Sequence, residues 1–255
     1  MKRDQRLIYG FHAVTARLRQ NPDAVIEVLM DPSRDDPRAR TLAALAREQG
    51  ARVVHVSGAR LDGMLPGLRH QGVGCAVKAV EVPRDLDAVL DVVEGPALLL
   101  GLDGVTDPHN VGACLRSADG LGAHAVFAPK DRAAGLTPVV EKVASGAVET
   151  TPYVMVTNLA RTLDALKARD VLVVGLAGEA GDDLASVDLT GPAALILGSE
   201  GDGLRRLTRE RCDVLVRIPM VGAVESLNVS VAAGICLYEA RRQRDETSAG
   251  RAGAG

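Results

Sequence analysis

Ser226 and Asn228 stand two residues apart in the stretch Ile218 to Ala240, IPMVGAVESLNVSVAAGICLYEA, just where a polar, glycine-containing loop gives way to small and apolar residues. A serine becomes a nucleophile only beside a base, and Ser226 has no GxSxG elbow around it and no assignable His/Asp partner, so hydrolase chemistry is disfavoured. Asn228 suits a helix N-cap, because its side-chain oxygen can accept from an amide of the first turn. Glu200 is the next candidate. It lies in LILGSEGDGL, where Gly198, Gly201 and Gly203 allow the backbone to approach a ligand while a carboxylate projects from the same turn. The third stretch, LDGVTDPHNVGACLRSADGLGA, has Asn110 and Gly112 leading into a helix that presents Arg116 about one and a half turns in. An arginine among Ala, Cys, Leu and Val is either half-buried against a carboxylate as a structural ion pair or held toward a ligand. His109 reads as a turn residue, with no second histidine or cysteine at metal-ligand spacing near it. A fourth loop, GLAGEAGDD, has turn glycines but not the GxGxxG dinucleotide fingerprint.

These loops need a scaffold, and the apolar runs supply one. Ala97 to Leu102, His124 to Ala128, Val171 to Gly175, Ala193 to Gly198 and Val214 to Ile218 are short and apolar, as fully buried parallel strands are. Between them Val111 to Leu121, Thr137 to Val148, Leu159 to Ala168 and Leu204 to Glu210 read as helices, which predicts a doubly wound parallel sheet with ligands at the carboxyl ends of its strands. Ahead of it, helical patterns at Tyr9 to Leu18, Arg38 to Gln49 and Gly58 to Leu65 alternate with strand patterns at Ala24 to Met30, Arg52 to Val56 and Gly74 to Val80, a separate small α/β unit. The predicted organisation is a first domain over residues 1–82, a linker and first helix over 83–96, a main domain over 97–244 and a disordered tail over 245–255, where RRQRDETSAGRAGAG has lost its apolar residues.

Charge divides along the same boundary. Residues 1–82 carry 13 Lys+Arg against 9 Asp+Glu, a net of +4, whereas the remaining 173 carry 17 against 24, a net of −7. A basic module joined to an acidic remainder fits a part that holds nucleic acid, though an excess of four charges also fits a solvated surface. With three Tyr, two Phe and no Trp, base stacking has no evident platform, and an RNA contact would rest on charge and shape. No apolar run approaches the roughly 18 residues of a membrane span, and the opening MKRDQRLIYG lacks a signal-peptide core, which points to the cytoplasm. The four cysteines are scattered without a CxxC pair, so neither zinc nor disulfides are expected.

Taken together and in order, DPHNVGACLRSADGLGA, LILGSEGDGL and IPMVGAVESLNVSVAAGICLYEA resemble the three motifs of the SpoU (TrmH-type) RNA ribose 2′-O-methyltransferases, over residues 97 to 244. The first domain is similar to the substrate-binding domain of many members, itself like ribosomal protein L30e. Among subfamilies, the opening IYGFHAV and the long first and third strings look most like the bacterial enzymes that methylate a guanosine of 23S rRNA. The resemblance implies a main domain tied in a carboxyl-terminal trefoil knot, S-adenosylmethionine as cofactor, and a homodimer formed through the knotted domains. By motif position it implies a cofactor pocket lined by Gly198, Ile218 and Leu227 and a catalytic set of Asn110, Arg116, Glu200, Ser226 and Asn228. Glu225 replaces the small polar residue that related sequences often carry, and is expected to face solvent. A tRNA substrate, or a non-catalytic RNA-binding assembly factor, are the competing readings.

Overall fold

A computed structural model of the chain describes residues 5–78 and 85–252 and divides it into two compact units, one ending at Glu81 and one beginning at Val82. The first unit runs β1 (Gln5–Tyr9), α1 (Phe11–Gln20), β2 (Val25–Met30), α2 (Pro37–Glu48), β3 (Arg52–His55), α3 (Gly58–Met64) and β4 (Val73–Lys78). Its sheet has the order β1-β4-β2-β3, antiparallel except for the β2–β3 pair. Local chemistry starts the helices: Asp36 accepts from the amides of Arg38 and Ala39 ahead of Pro37, and Ser57 accepts from Arg60. Strand β1 escapes the sequence reading because charge surrounds its short apolar pair, and only its pairing with β4, some seventy residues on, makes it a strand.

The second unit contains α4 (Leu86–Val92), β5 (Leu98–Asp103), α5 (Pro108–Gly120), β6 (Ala125–Pro129), α6 (Pro138–Ala144), β7 (Tyr153–Val156), α7 (Leu159–Lys167), β8 (Leu172–Leu176), β9 (Asp182–Asp183), β10 (Ala193–Gly198), α8 (Arg206–Arg211), β11 (Val214–Arg217) and α9 (Val229–Ala252). Seven strands form one sheet in the order β7-β6-β5-β10-β8-β11-β9, and every pairing is parallel. Both faces are covered. Leu98, Leu100, Leu102, Leu195 and Leu197 pack into a core with α5, α6 and α9, while Leu99, Ala194 and Ile196 face a second core with α4 and α7. A continuous apolar run is therefore what a strand sealed on both sides requires.

Two sequence expectations need correction, and one strand was not foreseen. The helix expected over Thr137 to Val148 stops at Ala144, because Ser145 and Gly146 turn left-handed (φ 54° and 96°), and a 3-10 turn over Ala147–Glu149 follows. Strand β7 lies at the sheet's edge and is only partly buried, so its short run gave little signal. The tail expected to be disordered is helical to Ala252, with 253–255 outside the described residues. Polar contacts replace the missing apolar ones. Arg241 pairs with Asp245 and Arg242 with Glu246 one turn on, at 2.8 and 2.6 Å. Gln243 accepts from the Leu189 amide and donates to the Val187 carbonyl. Arg244 donates to the carbonyls of Leu189, Pro96, Ala97 and Gly191, at 3.0, 2.9, 3.0 and 2.7 Å. Those carbonyls lie at the amino ends of β5 and β10, so α9 closes that edge of the sheet. Replacing Arg244 by Ala is expected to lower unfolding free energy by about 2 kcal/mol, the loss of several charge-assisted bonds partly recovered by water; urea titration followed by circular dichroism measures it.

Candidate active site

The carboxyl edge of the sheet is where the polar residues gather. After β5 the chain turns at Gly104, whose φ of 80° favours glycine, and Asp107 caps α5 by accepting from the His109 amide at 3.0 Å. Pro108 occupies the first helical position, which sets Asn110 in the first turn. Gly112 then allows α6 to lie close, since a Cβ there would sit 2.7 Å from Val143 Cβ and 2.9 Å from the Val140 carbonyl oxygen.

Strand β10, hydrogen-bonded to β5, ends at Gly198, where a Cβ would stand 2.0 Å from the Gly203 carbonyl carbon and 2.4 Å from the Leu204 nitrogen. The loop therefore folds back onto its own strand. Ser199 and Gly203 form a bridge, and Gly201 and Gly203 turn with φ of 88° and 63°. Glu200 is held at the tip. Asn228, preceding α9, accepts from the amide and hydroxyl of Ser230 at 2.9 and 2.6 Å, the N-cap role its residue type suggests.

These three side chains meet. Asn228 Nδ2 donates to Glu200 Oε1 at 2.6 Å and to Asn110 Oδ1 at 3.0 Å; Asn110 Nδ2 and the Val229 amide also donate to Glu200 Oε1, at 3.3 and 3.4 Å. One carboxylate oxygen thus ties together the start of α5, the glycine loop and the amino end of α9, where the helix dipole favours negative charge.

The other candidate residues stand apart from this knot of hydrogen bonds. Arg116 lies six residues beyond Asn110, about 9 Å along the helix axis. It is exposed, and no described residue pairs with it, so the structural ion pair is not what holds it. Ser226 and Glu225 are exposed in the loop before α9. Ile218 is half-buried against the core beside α5 and α9, just past the end of β11, and Leu227 is half-buried next to Asn228. β10 and β11 flank β8, which puts Gly198 and Ile218 on the same edge, about 10 Å apart at two strand spacings.

Sequence reasoning passed over Asp103 and Arg205. Asp103 ends an otherwise apolar strand and is fully buried; its Oδ2 accepts from the Arg205 amide at 2.9 Å and its Oδ1 from Arg205 Nε at 2.5 Å, with Nη2 also in contact. The signal was an acid closing the run LLLGLD, a place where a buried charge must have a partner. Burial pushes the Cys114 thiol up to about 12 and the partly buried Cys212 up to about 11, and among the described residues no group of three His, Cys, Asp or Glu is arranged to hold a metal ion.

Fold and site together define an α/β domain whose polar centre is assembled from loops distant in sequence at the carboxyl edge of a parallel sheet. Residues 97–238 match the model of the SpoU rRNA Methylase family, and residues 7–83 match that described as RNA 2'-O ribose methyltransferase substrate binding. The chain is 55% identical to the 23S rRNA (guanosine-2'-O-)-methyltransferase RlmB of Bordetella pertussis, over 94% of this chain and 98% of the relative. It is 56% identical to the protein of the same name from Ralstonia nicotianae, over 94% and 96%. Among solved structures it resembles the SpoU methyltransferase AviRb of Streptomyces viridochromogenes in complex with the cofactor AdoMet, with a TM-score of 0.68 and 29% identity over 95% of this chain and 92% of that one. The chain belongs to the SpoU rRNA methylase family.

Because the backbone of Gly203 occupies the space a Cβ at position 198 would need, Gly198→Ala is expected to push the glycine loop off its strand and lower unfolding free energy by about 1–3 kcal/mol, measured by urea titration.

Proposed function

We propose that this protein transfers a methyl group from S-adenosylmethionine to the ribose 2′-hydroxyl of a guanosine in 23S rRNA. The observation that carries the reading is the meeting of Asn110, Glu200 and Asn228 on one carboxylate oxygen at the carboxyl edge of the sheet, in a chain more than half identical to relatives of that activity along nearly its whole length. The residues fit the cofactor. Gly198 leaves backbone rather than side chain at the end of β10, and the half-buried Ile218 and Leu227 offer apolar contact on the same edge, as a flat aromatic base requires. When bound, S-adenosylmethionine supplies an electrophilic methyl on a positively charged sulfur.

The protein's own groups then have to deliver a hydroxyl. A ribose hydroxyl is a weak nucleophile at neutral pH and would have to give up its proton as its oxygen bonds to the methyl and the methyl–sulfur bond breaks, the sulfur leaving as a neutral thioether. The planar, five-donor guanidinium of Arg116 suits a holder better than a base: it binds the neighbouring phosphate, turns the hydroxyl toward the methyl, and leaves a phosphate oxygen to take the proton. Its exposure and lack of a described ionic partner leave it available for that. Asn110, Glu200, Asn228 and Ser226 fix the ribose for in-line attack, an effect of geometry more than of acid strength. The trefoil knot implied by the family motifs would bring the loops after β10 and β11 under one another around the cofactor.

Two further features belong to the same reading. The first unit, with its net positive charge and its match to a substrate-binding family, holds the RNA. The helix α9 leaves Val231, Ile235 and Tyr238 exposed at spacings of four and three residues, one stripe along one face, while Ala233, Cys236, Leu237 and Ala240 are buried. A second copy of the chain covers that stripe, giving a twofold homodimer. This reading puts the protein in the bacterial cytoplasm, with its rRNA.

Incubation with labelled S-adenosylmethionine and unmodified 23S rRNA, followed by mapping of the methylated ribose, should show incorporation at one guanosine; incorporation into tRNA alone would refute the substrate. Arg116→Ala is expected to reduce turnover by at least about 100-fold with cofactor affinity nearly unchanged. Ile235→Asp combined with Tyr238→Asp should yield monomers by light scattering, and a persistent dimer would place the interface elsewhere.

A further inference from the structure

We infer that the buried Asp103 and its half-buried partner Arg205 form a latch that keeps the glycine loop 199–204 in its cofactor-accepting shape, so that both are positioning residues for a reaction neither touches. The inference rests on the proposed cofactor site.

The geometry is that of a closed loop fixed at both ends on one residue. Gly198 is the register partner of Asp103 across β5 and β10, so the loop leaves the sheet beside Asp103. Arg205, the first residue after the loop, comes back to the same carboxylate with its backbone amide on Oδ2 and its guanidinium on Oδ1. Between those points the bridge from Ser199 to Gly203 narrows the loop, and Gly104, next to Asp103, lies under Ser199: a Cβ on Gly104 would be 3.7 Å from Ser199 Cβ. Glu200 is at the tip, where Asn110 and Asn228 reach it.

Charge burial singles this pair out. The ion pairs made from within α8, Arg206 with Glu210, Arg209 with Glu179 and Arg211 with Asp164, all use exposed carboxylates, whereas Asp103 has no exposed surface; the arginines are alike, Arg205 being as exposed as Arg209. Burying a carboxylate is costly, and an apolar contact of similar volume often holds two segments as well or better. What a carboxylate and guanidinium add is direction: a planar fork and an amide, all aimed at one acid, permit only one approach of residue 205. That selectivity is useful in a loop whose backbone must present a defined surface to a ligand.

The test uses the full-length chain. Asp103→Asn keeps shape but removes the charge and turns a donor toward Arg205; Arg205→Lys keeps charge and amide but loses the fork. Affinity for S-adenosylmethionine is measured by calorimetry beside thermal stability and the separate effects on KM for cofactor and kcat. Arg244→Ala, which loosens the opposite edge of the sheet, is the control for general loss of stability. The expected result is cofactor affinity lowered at least about tenfold in Asp103→Asn, the cost of about one charge-assisted hydrogen bond, with a smaller loss in Arg205→Lys and none in Arg244→Ala. If Asp103→Asn does not fold, Arg205→Lys and Arg205→Gln decide the matter. Affinities within about twofold of the parent, or an equal loss in Arg244→Ala, would overturn the latch. Failure of the parent itself to bind would instead remove the cofactor reading on which the latch rests.

Discussion

A single oxygen, Oε1 of Glu200, receives hydrogen bonds from Asn110, Asn228 and the Val229 amide, and the carboxyl edge of the main domain is arranged around that convergence. Two of its donors are 90 and 28 residues away along the chain. Because Glu200 and Asn228 are exposed, water competes for these bonds and their contribution to stability is modest. What they contribute is orientation: they fix where α5 and α9 begin relative to the glycine loop, and therefore where groups on those helices can act.

The sheet explains why the convergence falls at this edge. Its strands are all parallel and sealed by helices on both faces, so unpaired backbone and ligand-facing loops are left only at the strand ends. Helix α9 serves both ends. At 24 residues it spans about 36 Å, with Asn228 beside Glu200 at its start and Gln243 and Arg244 clasping the amino ends of β5 and β10 near its finish. A polar segment that resembles a tail is thus what shuts the amino edge and leaves the carboxyl edge as the open one.

The close approaches follow from the same packing. Gly198 and Gly112 are glycines because other backbone or side-chain atoms already occupy the volume a methyl would take. Gly234, although it sits among the small residues of α9, is different: a Cβ there would meet only Ser117 Oγ at 3.8 Å, so close packing does not require it. Ala233, Cys236, Leu237 and Ala240 of α9 share one buried core with Val111, Cys114, Leu115 and Ala118 of α5.

Much of the main domain was legible because its physics is local. Runs such as Leu98 to Leu102 and Ala193 to Leu197 are apolar without alternation, Asp107 and Asn228 are capping types in capping positions, and Asn110, Glu200 and Asn228 stand in motifs whose residue types suit a polar site. Strand β1, the helical end of α9 and the Asp103–Arg205 pair were not legible, since each depends on partners between about 50 and 150 residues away that no window of sequence contains. The sequence by itself determined where strands and helices form and which side chains are available for chemistry, through burial periodicity and capping. Only the tertiary structure decided which of them touch, because the pairing of β5 with β10 and the packing of α5 on α9 bring Asp103 to Arg205 and Asn110 to Asn228, and left Arg116 turned to solvent with its charge unspoken for among the described residues.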